Sequence, residues 1–167
     1  RFSDHMKYIT ANHLPLITII TIVYNDIRNI QETIDSVLSQ TYLNIEYIII
    51  DGGSDDGTKE VINNNSKLLS HWISEPDEGI YDAINKGINC AKGDYVGFLH
   101  SGDLFFGNDS VQIIANEFSK NNTDSIFADV DIVDINNTNK IIRHYSGMNF
   151  SFWKLRIGLA PPHPTFY

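Results

Sequence analysis

A single cysteine, Cys90, is all this chain offers for thiol chemistry, so no internal disulfide can staple it. A reducing compartment is the expected setting. Cys90 lies in the apolar stretch Ile88-Asn89-Cys90-Ala91 and is expected as a small buried hydrophobe. Basic residues are also scarce: 12 Lys and Arg stand against 21 Asp and Glu, a formal net charge of -9. Proteins that grip a nucleic-acid backbone neutralise its phosphates with Lys and Arg, so that partner class is disfavoured. The longest apolar run, Leu14 through Tyr24, is broken by Thr18 and Thr21 and is about half the ~20 residues that span a bilayer. No membrane helix is expected. Arg1 to Asn12 lacks the apolar stretch of a secretory leader, and a cytoplasmic location is the expectation.

Three phosphate or cation loops are missing too. A P-loop needs Gly-Lys followed by Ser or Thr, whereas Gly57 is followed by Thr58-Lys59 and the loop carries Asp55 and Asp56. The glycine fingerprint of dinucleotide-binding folds follows neither of the first two strand-like runs. A calcium loop counted from Asp51 wants Gly sixth and Glu twelfth, where the chain has Asp56 and Ile62.

What is present is a pair of apolar runs that each stop at an acid: Ile48-Ile49-Ile50-Asp51-Gly52-Gly53-Ser54 and Tyr95-Val96-Gly97-Phe98-Leu99-His100-Ser101-Gly102-Asp103. Strands are expected at Leu16 to Tyr24, Ile45 to Ile50, Leu68 to Ser74 and Tyr95 to Leu99. Between them lie helical periodicities: Ile27 to Leu38, Thr58 to Asn65, and a third with Ile80, Ala83, Ile84, Gly87, Ile88 and Ala91 on one face. Asn25-Asp26 reads as a helix start. This alternation predicts right-handed βαβ units and a Rossmann-like α/β half with a mostly parallel sheet. After Asp103 come a helix over Val111 to Phe118 and strands at Ser125 to Ile135 and Lys140 to Tyr145, split by a turn at Asn136 to Asn139. The second half is therefore expected to be smaller, mixed and partly antiparallel, within one domain of 167 residues.

In open α/β sheets, ligands bind beyond the C-terminal ends of the strands. Asp51 at such an end can accept an imide N–H, as in uracil or thymine, or can simply cap its turn; the residues leave both open. Asp103 is the obvious carboxylate for a hard divalent cation, with Ser101 able to add a hydroxyl. Such a cation is expected, because a pyrophosphate would otherwise meet the surplus of acids. Asp77, Asp82 and Lys86 border the third loop, where Lys86 can approach phosphate or pair with Asp82 on a solvated face. His163 in Pro161-Pro162-His163-Pro164 is a further candidate ligand.

Taken in this order, these stretches, together with Ser36-Val37-Leu38-Ser39-Gln40-Thr41-Tyr42 and Ser74 to Gly87, resemble the family 2 glycosyltransferases of the GT-A fold, in particular bacterial enzymes of surface-polysaccharide synthesis. The resemblance covers most of residues 16 to 103, the nucleotide-sugar-binding half, and only loosely residues 104 to 167, the start of an acceptor half. It implies that Thr21 and Tyr24 line a nucleotide pocket and that Asp51 reads the base. Asp77, Asp82 and Lys86 would lie around ribose and diphosphate. Asp103 would be the last acid of a DxD-type motif holding Mn2+ or Mg2+, with Ser101 and Gly102 where acids are usual. The implied reaction is inverting transfer of a sugar from a UDP-type donor to a saccharide or lipid-linked acceptor hydroxyl, with peripheral membrane association open. The family's general base lies well downstream of the metal motif, which places it beyond Tyr167. The apolar ending Thr165-Phe166-Tyr167 carries no helix stop, and a truncated chain is expected, with Asp129 as the in-chain substitute base. The rival readings are a non-catalytic nucleotide-sugar-binding module and a nucleotidyltransferase; the latter wants a basic glycine-rich loop where Asn25-Asp26-Ile27-Arg28 stands.

Overall fold

Every residue of ITIITIV, Ile17–Val23, is β-branched, as is most of IEYIIID, Ile45–Asp51, which favours extended backbone. In the computed structural model, which describes residues 14–121, 123–134, 137–149 and 165–167, these two runs form β1 and β2 and pair in parallel from Ile17↔Ile45 to Val23↔Asp51. Helix α1 is Ile30–Leu38, α2 Thr58–Asn65, α3 Ile80–Cys90 and α4 Ser110–Asn121; β3 is His71–Ser74 and β4 Tyr95–Phe98. Beyond α4 come β5 (Ile126–Phe127), β6 (Val130–Asp134), β7 (Asn137–Tyr145) and β8 (Thr165–Phe166). The main sheet has the order β3-β2-β1-β4-β8-β5, while β6 and β7 form a separate antiparallel ribbon. Strands β1 to β4 are parallel. Because β8 is antiparallel to both β4 and β5, β5 runs in the same direction as β4.

The central strands are buried on both faces, so the period-2 alternation sorts side chains between two cores rather than between core and water. Ile17, Ile19 and Val23 face the layer of α1, α2 and α4, with Ile34, Ile62 and Phe118. Ile20, Ile48 and Ile50 face α3 and its Ala83.

Several boundaries depart from the sequence-based expectation. Helix α1 starts at Ile30 because Asp26 first accepts the amides of Asn29 and Ile30 in a preceding turn. The third strand starts at His71, since Ser66–Leu68 closes as a 3-10 turn. The expected strand over 125–135 breaks in two, one piece joining the main sheet and the other the ribbon. Of the turn expected at 136–139, Asn137 to Asn139 belong to β7 instead, Asn137 already pairing with Asp134. On α3 the predicted face narrows: Ala83 and Gly87 are buried, but Ile80 is 51% and Ile88 46% exposed. A Cβ on Gly87 would come within 2.6 Å of Ile20 Cγ2, so the small residues set how closely α3 lies on β1. Cys90, expected as buried, is half-buried at the end of that helix.

The stretch Thr165-Phe166-Tyr167, read from the sequence only as an apolar ending, is a strand of the main sheet. Tyr167 exchanges both of its backbone hydrogen bonds with Val96: the Val96 amide donates to the Tyr167 carbonyl (2.7 Å), and the Tyr167 amide to the Val96 carbonyl (2.9 Å). Tyr167 therefore extends the antiparallel pairing of β8 with β4 by one residue.

A buried acid ties the sheet together. The Glu46 carboxylate accepts the Thr18 hydroxyl (2.6 Å) and the Lys92 amide (2.7 Å), and Thr18 Oγ1 accepts the Gly93 amide (2.9 Å). It thereby joins β1 and β2 to the turn that launches β4. On β4, Gly97 pairs with Phe166 of β8, and a Cβ there would lie 2.1 Å from the phenyl ring. In the ribbon, His144 lies opposite Asp131 with Nδ1 2.7 Å from Oδ1. That hydrogen bond, against a smaller opposing effect of desolvation and with help from the charges of Asp131 and Asp129, raises the imidazole pKa above its ordinary value.

Gly97→Ala should destabilise the fold by about 1–3 kcal/mol through overpacking against Phe166, read as a lower denaturant midpoint; an unchanged midpoint would mean the ring yields freely. For His144 the folded pKa exceeds the unfolded one, so its stabilisation is complete below the unfolded value and is lost as pH rises through the folded value. His144→Gln should therefore speed amide exchange in the ribbon at pH 5 and leave it unchanged at pH 9.

Candidate functional site

Parallel pairing brings the C-terminal ends of β1, β2, β3 and β4 to one edge of the sheet, and with them four loops: residues 24–29, 52–57, 75–79 and 99–109. At this edge opens a cavity of about 350 Å³ lined by Ile22, Val23, Tyr24, Asp77, Gly79, Ile80 and His100. That is within the range of small-ligand sites, and the lining combines apolar walls with a few polar groups, as such sites do.

Tyr24 is 66% exposed and offers its ring to the opening. Asp77 accepts the Gly79 amide on Oδ1 (2.9 Å), while its Oδ2 lies 2.6 Å from where a Gly52 Cβ would stand; Tyr24 Cδ2 is 3.3 Å from the same point. Only a glycine at 52 lets carboxylate and ring converge. Gly53 (φ +85°) and Gly57 (φ +104°) take left-handed backbone in the same turn, which explains its glycine content.

Asp51, for which the residues left base reading and turn capping open, is held within its turn. It is fully buried, its carboxylate accepting the Ser54 amide (3.2 and 3.3 Å), the Ser54 hydroxyl and the Ser74 hydroxyl (2.7 Å). This is the turn-capping arrangement, and Asp51 is not among the lining residues. Thr21 is likewise buried away from the cavity, its hydroxyl 3.0 Å from that of Tyr47, whose phenol is pushed up in pKa by burial. The strand alternation turns Thr21 toward the α1 and α2 layer. Lys86 lies 3.0 Å from Glu75, 3.2 Å from Asp82 and 3.1 Å from the Pro76 carbonyl, the salt-bridged arrangement on a solvated face. Its pKa is raised, first by the Glu75 hydrogen bond and then by Asp82 against some desolvation. Asp82 is lowered, first by the Glu78 amide and then by Lys86.

The turn carrying Asp103 closes with the Asp103 amide donating to the His100 carbonyl (2.9 Å). Gly102, third in the turn, has φ +89°, a conformation that favours glycine. Nothing lies closer than 3.9 Å to a Cβ there, so backbone conformation rather than space accounts for a glycine where the resembled motif carries an acid. Ser101 donates its hydroxyl to Asp26 (2.7 Å), and Asp103 is exposed at the edge. Among the described residues no three His, Cys, Asp or Glu converge on one point. A single carboxylate suits a Mg2+- or Mn2+-type ion that draws its remaining ligands from substrate phosphates and water.

Asp129 follows β5 and so leaves the sheet at the same edge, outside the cavity lining. Its Oδ1 accepts the Gly147 amide (2.8 Å), and its Oδ2 is 3.9 Å from His144 Nε2. Tyr167, beyond which the family's base is expected, is itself no part of the site. It lies outside the cavity lining, and its pairing with Val96 places it beside the start of β4, at the end of the strand opposite the cavity. The antiparallel direction of β8 is the reason: Tyr167 lies one residue further than Phe166 from the edge where β4 ends. His163 lies outside the described residues. Sequence reading missed two residues, His100 in the cavity and Asp26 beneath the Asp103 turn. His100 was legible as the first polar residue after an apolar strand; Asp26 was read only as a helix start.

Residues 18–165 match the sequence model of Glycosyl transferase family 2. An uncharacterized glycosyltransferase of Mycobacterium tuberculosis (strain H37Rv) is 46% identical over 98 residues, covering 58% of this chain and 37% of that protein. The hyaluronan synthase of Pasteurella multocida is 39% identical over 116 residues, covering 67% of this chain and 12% of the synthase. The chain thus spans well under half the length of these relatives. In structure, it resembles S. aureus TarS 1-349 in complex with UDP-GlcNAc, with a TM-score of 0.62 at 20% identity over 67% of this chain and 33% of that one. It also resembles the mannosyltransferase PcManGT of Pyrobaculum calidifontis in complex with GDP-Man and Mn2+, with a TM-score of 0.59 at 20% identity over 77% and 39% of the two chains. These likenesses bear out the GT-A fold expectation. The sequence match runs from the second residue of β1 to the first of β8, and the chain belongs to glycosyl transferase family 2.

Proposed function

We propose that this chain provides the donor site of an inverting glycosyltransferase that moves a sugar from a UDP-type nucleotide donor to an acceptor hydroxyl in polysaccharide or glycolipid synthesis. The observation that carries the reading is the cavity at the strand edge, where Tyr24, Asp77 and His100 meet three residues before Asp103. Two solved neighbours that hold nucleotide sugars, one with Mn2+, support the donor class.

In this reading Tyr24 stacks on the base, and the Asp77 carboxylate accepts a base imide or ribose hydroxyl proton. Asp51 acts through the turn it holds, since it is fully buried and outside the cavity lining. Thr21 acts likewise from behind the pocket wall. Lys86 can reach a diphosphate only by exchanging out of its pairs with Glu75 and Asp82. Asp103 would hold Mn2+ or Mg2+, whose chemistry when bound is to neutralise charge on the departing diphosphate. The acceptor proton would go to a carboxylate base; the family's pattern puts that base past Tyr167, and Asp129 is the in-chain alternative. Among the described residues no helix is long and apolar enough to cross a membrane; a lipid-linked acceptor would bring the protein to the inner membrane face peripherally. A non-catalytic nucleotide-sugar-binding role is the second reading, favoured by the lone carboxylate of the Asp103 turn.

UDP titrated calorimetrically should bind more tightly with Mn2+ than without, and Asp103→Ala should abolish that difference while leaving metal-free binding. Absence of UDP binding by the folded wild type would sink the donor-site assignment. Tyr24→Ala should weaken binding with or without metal by roughly tenfold or more, the scale of one base stack. Gly52→Ala, which forces the Asp77 carboxylate aside, should lower UDP affinity while the Mn2+ enhancement persists.

A further inference from the structure

We propose that Asp26 is the positioning residue of the Asp103 turn: its carboxylate grips the Ser101 hydroxyl and so sets the direction in which Asp103 faces the donor phosphates. The inference rests on the reading of Asp103 as the cation-binding carboxylate and names what holds it in place.

The backbone of Asp26 is pinned at three points. Its amide donates to Thr58 Oγ1 (3.0 Å) at the start of α2, and its carbonyl accepts the amides of Asn29 (3.2 Å) and Ile30 (3.1 Å). With its origin fixed, the half-buried carboxylate takes two donors: Asn29 Nδ2 on Oδ1 (2.6 Å) and Ser101 Oγ on Oδ2 (2.7 Å). Both are charge-assisted, the stronger class of hydrogen bond. Asp26 therefore connects the loops after β1, β2 and β4, spanning 75 residues of sequence to reach Ser101.

The blander account, a helix cap, does not describe this side chain. A capping carboxylate accepts backbone amides of the first helical turn, whereas that of Asp26 takes side-chain donors from Asn29 and from another loop. Neutral contacts complete the grip. The Ser101 amide donates to the Ile22 carbonyl (3.1 Å), the Gly102 amide to Thr33 Oγ1 (3.0 Å), and the Thr33 hydroxyl to the Asp103 carbonyl (3.1 Å). Asp26 supplies the charged member of this set. A Cβ at 102 would stand 3.9 Å from Asp26 Oδ2, so an acid at 102 would meet a like charge; Gly102 and Asp26 suit one another.

The test compares Asp26→Ala, Ser101→Ala, their double variant and Asp26→Asn. Ala at 26 leaves Ser101 without its acceptor, whereas Asn keeps a carbonyl for the Ser101 hydroxyl and offers its amide to Asn29, whose own amide can turn to accept. Calorimetry with UDP and Mn2+ should show Asp26→Ala and Ser101→Ala each weakening the metal-dependent binding roughly tenfold, the scale of one hydrogen bond to a charged group. The double variant should be no weaker than Asp26→Ala alone, and Asp26→Asn should keep part of the affinity that Asp26→Ala loses. Metal-free UDP affinity should barely move, while Tm falls by no more than the few degrees that the lost hydrogen bonds cost. Full Mn2+-dependent affinity in Asp26→Ala, additive losses, Asp26→Asn no better than Asp26→Ala, or a parallel loss of metal-free binding would overturn the proposal. Should the wild type not bind UDP, the donor-site reading falls and amide exchange at Gly102 and Asp103 decides: faster exchange in Asp26→Ala, slowed again in Asp26→Asn, keeps the positioning role, and unchanged rates reject it.

Discussion

The parallel registration of β1 between β2 and β4 is the constraint on which the rest depends. A parallel ladder sends every strand's C-terminus to the same edge, so Tyr24, the 52–57 turn and the 100–103 turn become neighbours although they are far apart in the chain. The burial that stabilises this ladder is shared between two cores, with Ile19 and Ile49 on one face and Ile20, Ile48 and Ile50 on the other. Glu46 then fastens the turn before β4 to β1 and β2 by accepting from both Thr18 and Lys92. Without that pairing the acids of the edge would be scattered loop residues.

A chain of net charge -9 must dispose of its carboxylates, and the structure does so by giving many of them internal donors. Asp51 takes Ser54 and Ser74, Asp26 takes Asn29 and Ser101, Asp56 takes Thr58, and Asp82 takes Lys86 and the Glu78 amide. The Asp56 carboxylate lies below its usual pKa, chiefly through the Thr58 hydroxyl. These residues build the loops. Asp77 and Asp103 stand at the open edge, where a ligand with hydroxyl or imide protons and a bridging cation would meet them. Asp77 does both, accepting the Gly79 amide while lining the cavity.

The fold was legible because its first half obeys strong local rules. Runs such as Ile45–Asp51, followed by Gly-Gly-Ser and an amphipathic helix, leave little choice of element or order. The second half was less so: residues 125–135 read as one strand, yet β5 and β6 belong to different sheets, and only pairing partners distant in sequence decide that. The pairing of Phe166 and Tyr167 with β4 was equally hidden, since a stretch of three residues carries no period of its own. Helix α3 shows the same limit. Its periodicity marked six apolar positions, but close approach through Gly87 and Ala83 leaves Ile80 and Ile88 half in solvent.

The sequence by itself determined the element order of the first half, the strand edge as the place of the candidate site, and the family resemblance, because strand and helix periods and turn residues are local properties. It marked Asp51, Asp77, Asp82 and Asp103 as candidates at or near strand ends. Tertiary structure decided that Asp51 and Thr21 point inward, that Lys86 is already paired, and that His100 lines the cavity. It also decided that Gly102 answers to a positive φ and that Asp26 reaches across to Ser101. The direction of a side chain at a strand end depends on which neighbours offer it hydrogen bonds, and those neighbours come from loops that only the folded sheet brings together.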